Sequence, residues 1–220
     1  MIDLHAHTIF SDGELIPSEL VRRAEHKGLK AIGLTDHADT SNIDFIIPRI
    51  TQTAVELNRL LDITVVPGIE ITHVPPPLIK DMAKKARTMG AAIILVHGET
   101  IAEPVAQGTN HAALEADIDI LAHPGLITMD DVLLAKTRGI YLEISGRKGH
   151  SLTNGHVAAR ATEAGAGLVI NTDTHAPGDL IDATEAKKIV AGAGLGDAEF
   201  ERMQENASVL VRRARAQDPS

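Results

Sequence analysis

Short β-rich runs alternate with amphipathic helical segments along the whole chain, and this alternation limits the folds that it can adopt. Strand–helix units in series connect by right-handed crossovers, which produce a parallel sheet covered by helices. The first helix is expected from Pro17 to Gly28, with proline near its start and glycine past its end. The predicted strands are Ile2–His5, Lys30–Thr35, Thr64–Gly68, Ala92–Val96, Ile118–Ala122, Ile140–Ile144 and Leu168–Asn171. Further helices are expected at about Ile43–Leu61, Leu78–Met89, Asn110–Ala116, Met129–Thr137 and Asn154–Ala164, with two closing helices at about Asp182–Ala191 and Asp197–Ala214.

Residues that can bind metal ions occur where these strands end. Imidazole and carboxylate groups suit zinc, manganese and iron, and six of the eleven histidines stand in such positions. The candidate ligands are His5, His7, Asp12, His37, Glu70, His97, His123, Asp173 and His175. One pair would be weak evidence, whereas nine residues at strand ends predict a multinuclear metal centre.

The placement of these residues favours a barrel over an open sheet. Six of the seven predicted strands carry a candidate ligand at or just after the C-terminal end. In an open doubly wound sheet those ends would be spread over roughly 25–30 Å, given a strand spacing of about 4.8 Å. A closed barrel gathers them around one axis. Eight-stranded barrels typically need about 250 residues, so a chain of 220 residues suits seven strand–helix units.

Two pairs of candidate ligands share one spacing. His5 and His7 are separated by a single residue, so both side chains leave the same face of a strand and can chelate one ion. Asp173 and His175 repeat this spacing after the last strand. Either pair alone is explained equally well by exposed polar residues at a strand end, but the repetition favours metal binding.

Composition narrows the possible partners. The formal net charge of -9 argues against a general binder of the nucleic-acid backbone, and 2% aromatic residues provide no stacking platform for single strands. The absence of cysteine excludes disulfides and thiolate metal sites. No basic and apolar leader begins the chain, and no apolar run approaches the roughly 18 residues of a membrane span. We therefore expect a cytoplasmic protein without a membrane or long nucleic acid as partner, in an oligomeric state that the sequence leaves open.

The ordered motifs resemble those of the PHP family, named for polymerase and histidinol phosphatase. They are His-x-His-Thr-x-x-Ser-Asp-Gly, Thr-Asp-His, Gly-x-Glu, Val-His, Ala-His-Pro-Gly and Asp-x-His, and they run from about Met1 to His175. The resemblance implies a distorted (β/α)7 TIM-like barrel over residues 1–220, with barrel strands at about 2–171 and closing helices at about 182–214. It also implies two to three divalent ions of zinc, manganese or iron. By this resemblance the first ion takes His5, His7, Glu70 and Asp173, the second shares Glu70 and adds His97 and His123, and the third takes Asp12, His37 and His175.

The amidohydrolases are a related alternative, because they too begin with His-x-His on the first strand. That family implies an eight-stranded barrel, often a bridging lysine at strand four, and a solitary aspartate at the last strand. Here strand four ends in His97, and the last motif carries His175 as a second ligand. Both departures favour the PHP family.

The charge of the predicted site indicates its substrate. Three divalent ions carry six positive charges, against three negative charges from Asp12, Glu70 and Asp173, which we expect to be the catalytic carboxylates. A surplus of positive charge selects an anion, and metal-bound water becomes a hydroxide nucleophile near neutral pH. We predict hydrolysis of a small phosphate monoester, as in histidinol phosphatases. The alternatives are a phosphodiesterase or nuclease that acts on nucleotides or short oligonucleotides, and a noncatalytic metal-binding module.

Other residues near the strand ends are candidates for contacts with the substrate. After strand six, Arg147 and Lys148 are expected to hold the substrate phosphate, and His150 is a candidate acid for the leaving group. An ordinary solvated loop is the competing interpretation. His73 is expected to contact substrate or to stiffen its loop, and Glu103, together with Glu99, to bind a substrate amine or to face solvent.

Overall fold

The predicted alternation of strands and helices is confirmed in a computed structural model, which describes residues 1–216. The strands are β1 (Ile2–Asp3), β2 (Ala31–Leu34), β3 (His37–Ala38), β4 (Thr64–Ile71), β5 (Ile93–His97), β6 (Ile120–Ala122), β7 (Tyr141–Ser145) and β8 (Leu168–Asn171). The helices are α1 (Pro17–His26), α2 (Ile43–Asn58), α3 (Pro76–Thr88), α4 (Thr109–Leu114), α5 (Met129–Arg138), α6 (Asn154–Ala164), α7 (Ala183–Gly192) and α8 (Asp197–Ala216). Short 3-10 turns cover His150–Thr153 and Pro177–Asp179.

The strands form a nearly closed, all-parallel barrel with seven strand positions, as predicted. Their order around the barrel is β1-β2-β4-β5-β6-β7-β8, and β3 also pairs with β4. Strand β3 prolongs β2, because Leu34 pairs with Pro67 and His37 pairs with Glu70 at the same offset. The first and last strands meet through a parallel bridge between Ala6 and Thr174.

Apolar side chains fill the N-terminal half of the barrel, and α8 covers that end. Leu4, Val66, Leu95 and Val169 pack there in one buried cluster with Leu210 of α8. Helix α8 also bonds to the starts of two strands: Ile2 N donates to Gln204 Oε1 at 2.7 Å, and Asn206 Nδ2 donates to Leu168 O at 2.8 Å. The barrel is therefore closed at this end, and its polar residues lie at the other.

The outer helices bury one apolar face each against the barrel. In α2, Ile43, Ile46, Ile47 and Ile50 are fully buried at the three- and four-residue spacing of a helix face. Asn58 at the end of α2 receives a hydrogen bond from Val65 N and donates one to Val65 O, which fixes the helix to β4. Within residues 1–216 no helix has the length and hydropathy needed to cross a bilayer.

The boundaries differ most from prediction at the C-terminal ends of β4 and α2, and α2 ends at Asn58 rather than at about Leu61. Strand β4 continues to Ile71 rather than ending at Gly68, because β3 on one side and β5 on the other extend its ladder. Glu70 therefore lies within a strand. Strand β1 ends at Asp3 rather than His5, and beyond it Ala6 N bonds to the Thr35 hydroxyl at 3.1 Å instead of a regular ladder.

Candidate metal centre

The nine predicted ligands converge on one cleft at the C-terminal end of the barrel. The cavity has a volume of about 190 Å³, and its lining includes Asp12, His37, His97, Asp173 and His175. His5, His7, Glu70 and His123 lie beneath, buried and within reach of these residues. The side chain of Asp12 is the most open of the nine, with 54% of its surface exposed.

The first group comprises His5, His7, Glu70 and Asp173. His5 Nε2 lies 3.4 Å from Glu70 Oε1 and 3.6 Å from Asp173 Oδ1. His7 Nε2 lies 3.1 Å from Asp173 Oδ1 and 3.7 Å from Glu70 Oε2. These two imidazoles and two carboxylates thus face one point. Glu70 comes from β4, and the other three come from the segments after β1 and β8, at the seam where the first and last strands meet.

The third group comprises Asp12, His37 and His175. Asp12 Oδ1 lies 3.1 Å from His175 Nε2, 3.6 Å from His37 Nε2 and 4.0 Å from His7 Nδ1. His7 stands between the first and third groups, with one ring nitrogen toward each. The two groups therefore adjoin in one site.

The second group contains His97 and His123, as the sequence indicates, and also His150. The ligand atoms of these three histidines all lie within 4.8 Å of one another. His123 Nε2 lies 3.5 Å from Glu70 Oε1, so Glu70 reaches both the first and second groups.

The buried polar atoms of the site fit metal ions. Nine buried side-chain nitrogen or oxygen atoms within residues 1–216 have no hydrogen-bond partner, and eight belong to His5, His7, Glu70, His123, Asp173 and His175. Leaving such an atom unpartnered costs about 1–3 kcal/mol. Their convergence and their chemistry, imidazole nitrogen and carboxylate oxygen, are those of a site that could hold divalent metal ions.

The pKa values reflect the mixture of carboxylates and imidazoles. Burial raises the pKa of Glu70, but His5 and His37 outweigh this effect and hold the pKa well below its ordinary value. The hydrogen bond from His97 is the main cause that lowers the pKa of Glu103 to about 2. Burial, with His123 beside it, lowers the pKa of His150 to about 3. Anionic carboxylates and a neutral His150 imidazole are the forms that bind metal.

A buried carboxylate that the sequence analysis did not assign, Glu143 of β7, orients two predicted ligands. Its Oε1 lies 2.8 Å from His5 Nδ1 and accepts from Asn171 Nδ2 at 2.8 Å, while Oε2 accepts from the backbone N of His123 at 3.0 Å. Metal-binding histidines almost always donate their second ring N–H to such a group. Glu143 lies at the end of the sixth predicted strand, but the contacts that give it this role arise only in the folded barrel.

Asp36 positions the loop that carries Asp12. Its Oδ1 accepts from Thr8 N at 2.8 Å and from the Ser11 hydroxyl at 2.7 Å, and the Thr8 hydroxyl donates to Oδ2 at 2.9 Å. Asp36 belongs to the Thr-Asp-His motif, yet nothing in its spacing distinguished this role from ligation.

Backbone strain is concentrated at the site. Among residues 1–216, His73, His123 and Asp173 are the non-glycine residues with positive φ, at 52°, 26° and 55°. Such conformations cost roughly 1–3 kcal/mol each and persist where the surrounding structure imposes them. Gly98 allows the loops after β5 and β6 to pack closely, because a Cβ there would lie 2.3 Å from Ala122 O.

The remaining predicted residues separate into those at the cleft and those outside it. Arg147 lines the cleft, with its Nε 3.7 Å from Asp173 Oδ2, and it also contacts His175. His73 lies at the rim, 3.3 Å from Glu103 Oε2. Lys148 is exposed and is not part of the cleft lining.

The two glutamates after β5 have different surroundings. Glu103 lines the cleft, with Oε2 at 3.1 Å from His97 Nε2. Glu99 instead accepts from Gly108 N at 3.0 Å and Asn110 N at 2.9 Å. It therefore satisfies backbone donors at the start of α4, and it is not among the residues that line the cleft.

Comparisons with known proteins agree with this architecture. Residues 3–150 match the family model described as PHP domain. An uncharacterised protein of Methanocaldococcus jannaschii is 52% identical over 201 residues, which cover 90% of this chain and 92% of that protein. A protein of Shewanella pealeana named "probable phosphatase" is 29% identical over 88% of this chain and 84% of its own length. A DNA polymerase/3′-5′ exonuclease of Bacillus subtilis is 24% identical over 90% of this chain and 40% of its own length.

A solved structure shares the fold. A chain from the cryo-EM structure of archaeal ribonuclease P with mature tRNA superposes with a TM-score of 0.74 and 17% identity, over 98% of this chain and 92% of that chain. At this identity the likeness concerns the fold alone.

Proposed function

Because this chain belongs to the PHP domain family and is a hydrolase that acts on phosphoric esters, we propose that it hydrolyses a small phosphate monoester with two to three divalent metal ions. The observation that carries the proposal is the small cleft into which the predicted metal ligands converge. Its volume of about 190 Å³ lies below the roughly 300–1,000 Å³ of pockets that enclose drug-sized ligands. Such a cleft suits a phosphoryl group on a small organic body.

The three groups of side chains supply the metal ligands. The first group would hold one ion through His5, His7, Glu70 and Asp173, and Glu70 would bridge to the second group. The third group would hold its ion through Asp12, His37 and His175. When bound, divalent ions polarise phosphoryl oxygens and activate water at neutral pH.

Other residues of the chain orient the substrate and the ligands. Arg147 at the cleft mouth presents a guanidinium group that suits two phosphoryl oxygens. Glu143 holds the ring of His5 through Nδ1, which leaves Nε2 for the ion. Asp36 holds the loop of Asp12 in place.

A phosphodiesterase or exonuclease is the second candidate, favoured by the similarity to the Bacillus subtilis polymerase/exonuclease. That role requires a groove for a strand. The small volume of the cleft, the net charge of -9 and the 2% aromatic content favour a small phosphomonoester instead.

A panel of esters tests the proposal. Metal-reconstituted protein is expected to hydrolyse an aryl phosphate monoester, and chelator or Asp173→Ala is expected to abolish this activity. Asp130→Ala, an exposed carboxylate in the first turn of α5, is the matched control and should leave activity unchanged. Cleavage of only a bis-aryl diester or short oligonucleotides would assign the protein to the second candidate, and hydrolysis of none would leave a binding role.

A further inference from the structure

His150 lines the cleft and is buried, although the sequence places it in a loop. It begins the 3-10 turn after β7 and is only 4% exposed. Its ring stacks on that of His123, with centroids 4.0 Å apart and planes inclined by 16°. The ring of His97 lies 5.8 Å from that of His150 and 4.4 Å from that of His123.

A hydrogen bond holds Nδ1 of His150 and of His97, whereas both ring nitrogens of His123 have no partner and His97 Nε2 lies 3.1 Å from Glu103 Oε2. His150 Nδ1 is 2.7 Å from the Thr100 hydroxyl, and His97 Nδ1 is 3.1 Å from Gly98 O. The Nε2 atoms of His150 and His123 each lie 3.7 Å from the same Asp173 Oδ2. A ring anchored through one nitrogen and open at the other is the usual arrangement of a metal-binding histidine.

We infer that His150 is a third imidazole ligand, with His97 and His123, of the second metal ion, and that the Thr100 hydroxyl orients it. The inference deepens the proposed metal-dependent function and rests on it. It replaces the proton-donor role that the sequence suggested for His150, because its free nitrogen faces the other two imidazoles.

With this ligand set, the first and second groups would differ in the metal ion that they prefer. The first group offers two carboxylates and two imidazoles, whereas the second offers three imidazoles and a share of Glu70, with the Glu103 carboxylate 3.1 Å from His97 Nε2. Imidazole-rich sites suit zinc and iron, and carboxylates suit manganese. The second group is therefore expected to prefer zinc or iron.

The test compares metal binding by His150 variants with that of the wild type. Zinc affinity is measured by competition with a chromophoric chelator, and ligand geometry by the visible absorption of the cobalt(II)-reconstituted protein. His150→Gln removes the ligand, whereas His150→Glu keeps a ligand of similar reach. His156→Gln, a half-buried histidine of α6 that bonds to Ile127 O, is the matched control.

His150→Gln should lower the affinity for one ion by about 100-fold or more and change the cobalt spectrum. Even the loss of a residue that only hydrogen-bonds to a ligand lowers metal affinity by about 10–100-fold. His150→Glu should recover much of the affinity, and His156→Gln should match the wild type. Thr100→Val should lower the affinity for the same ion by about tenfold, whereas Thr100→Ser should keep the wild-type affinity. The Thr100 pair keeps the test valid if His150 variants fold poorly.

The inference would be overturned if His150→Gln bound every ion with wild-type affinity and gave an unchanged cobalt spectrum. If kcat nevertheless fell in that variant, His150 would instead be the acid that protonates the leaving group. Metal uptake by the wild type is measured before any variant. Failure of the wild type to take up any ion would overturn the proposed function as well.

Discussion

Replacing Glu143 by glutamine should weaken metal binding without removing any ligand. The carboxylate contacts His5 Nδ1 at 2.8 Å, accepts from Asn171 Nδ2 at 2.8 Å and from His123 N at 3.0 Å. An amide has one acceptor oxygen, so its NH₂ group must face one of these donors. We expect the affinity for the first and second ions to fall by about 10–100-fold, which is about 1.4–2.8 kcal/mol at about 1.4 kcal/mol per tenfold change.

The same change should reduce the proton release that accompanies metal binding. Burial lowers the pKa of His5, but Glu143, Asp173 and Glu70 outweigh it and raise the pKa well above the ordinary value. Metal must therefore displace a proton from His5 near pH 7. With glutamine at position 143 that pKa falls, and calorimetry in buffers of different ionisation enthalpy should detect fewer protons released.

The assay for Glu143→Gln is chelator competition, with thermal unfolding to check the fold. Glu163→Gln alters an exposed carboxylate of α6 that pairs with Arg160, and it should leave metal affinity unchanged. A Glu143→Gln protein that unfolds cooperatively and binds each ion within about twofold of the wild type would refute the positioning role of Glu143.

Three further outcomes follow from buried groups. In chelator-treated protein, Asp3→Asn should stabilise the folded state at neutral pH. Burial raises the pKa of Asp3 from 3.8 to about 6. The wild type therefore loses, as the pH rises through 6, folding stability that is fully present below pH 3.8. At about 1.36 kcal/mol per unit the gain approaches about 3 kcal/mol at pH 7 and vanishes near pH 4 in denaturant titrations. Asp36→Ala should free the Thr8 amide, seen as faster hydrogen exchange, and lower occupancy of the third group about tenfold. Ile47→Ala, in the fully buried face of α2, should cost about 2–5 kcal/mol in denaturant unfolding, whereas Leu60→Ala, 81% exposed, should change stability by less than about 0.5 kcal/mol.

The barrel was predictable because its pattern is local and repeated. The strand–helix alternation and the ligand pairs at strand ends are visible within a few residues, and the ends of parallel strands meet at one edge. Strand β4 was predicted three residues short, because its continuation past Gly68 depends on neighbours in β3 and β5.

The orienting residues could not be predicted in the same way. Glu143, Asp36 and Thr100 act through partners that are distant in sequence, such as Thr100 and His150, 50 residues apart. Glu99 and Glu103 have the same chemistry and lie only four residues apart, yet Glu99 satisfies backbone donors of α4 and Glu103 lines the cleft. Composition and spacing alone do not distinguish such pairs.

The seam between β1 and β8 has a consequence for how this protein reaches its active form. The backbone N of Leu4 donates to Asn171 Oδ1, 167 residues away in sequence. His5 and His7 on one side of the seam are separated from Asp173 on the other by a similar length of chain. Loops of this length close slowly, since their entropy is lost before the contacts form. During synthesis, His5 and His7 emerge before Asp173, so the first group is incomplete until Asp173 has been made. Tight metal uptake by the first group is thus expected to report the last step of folding, the closure of the barrel, rather than to nucleate it.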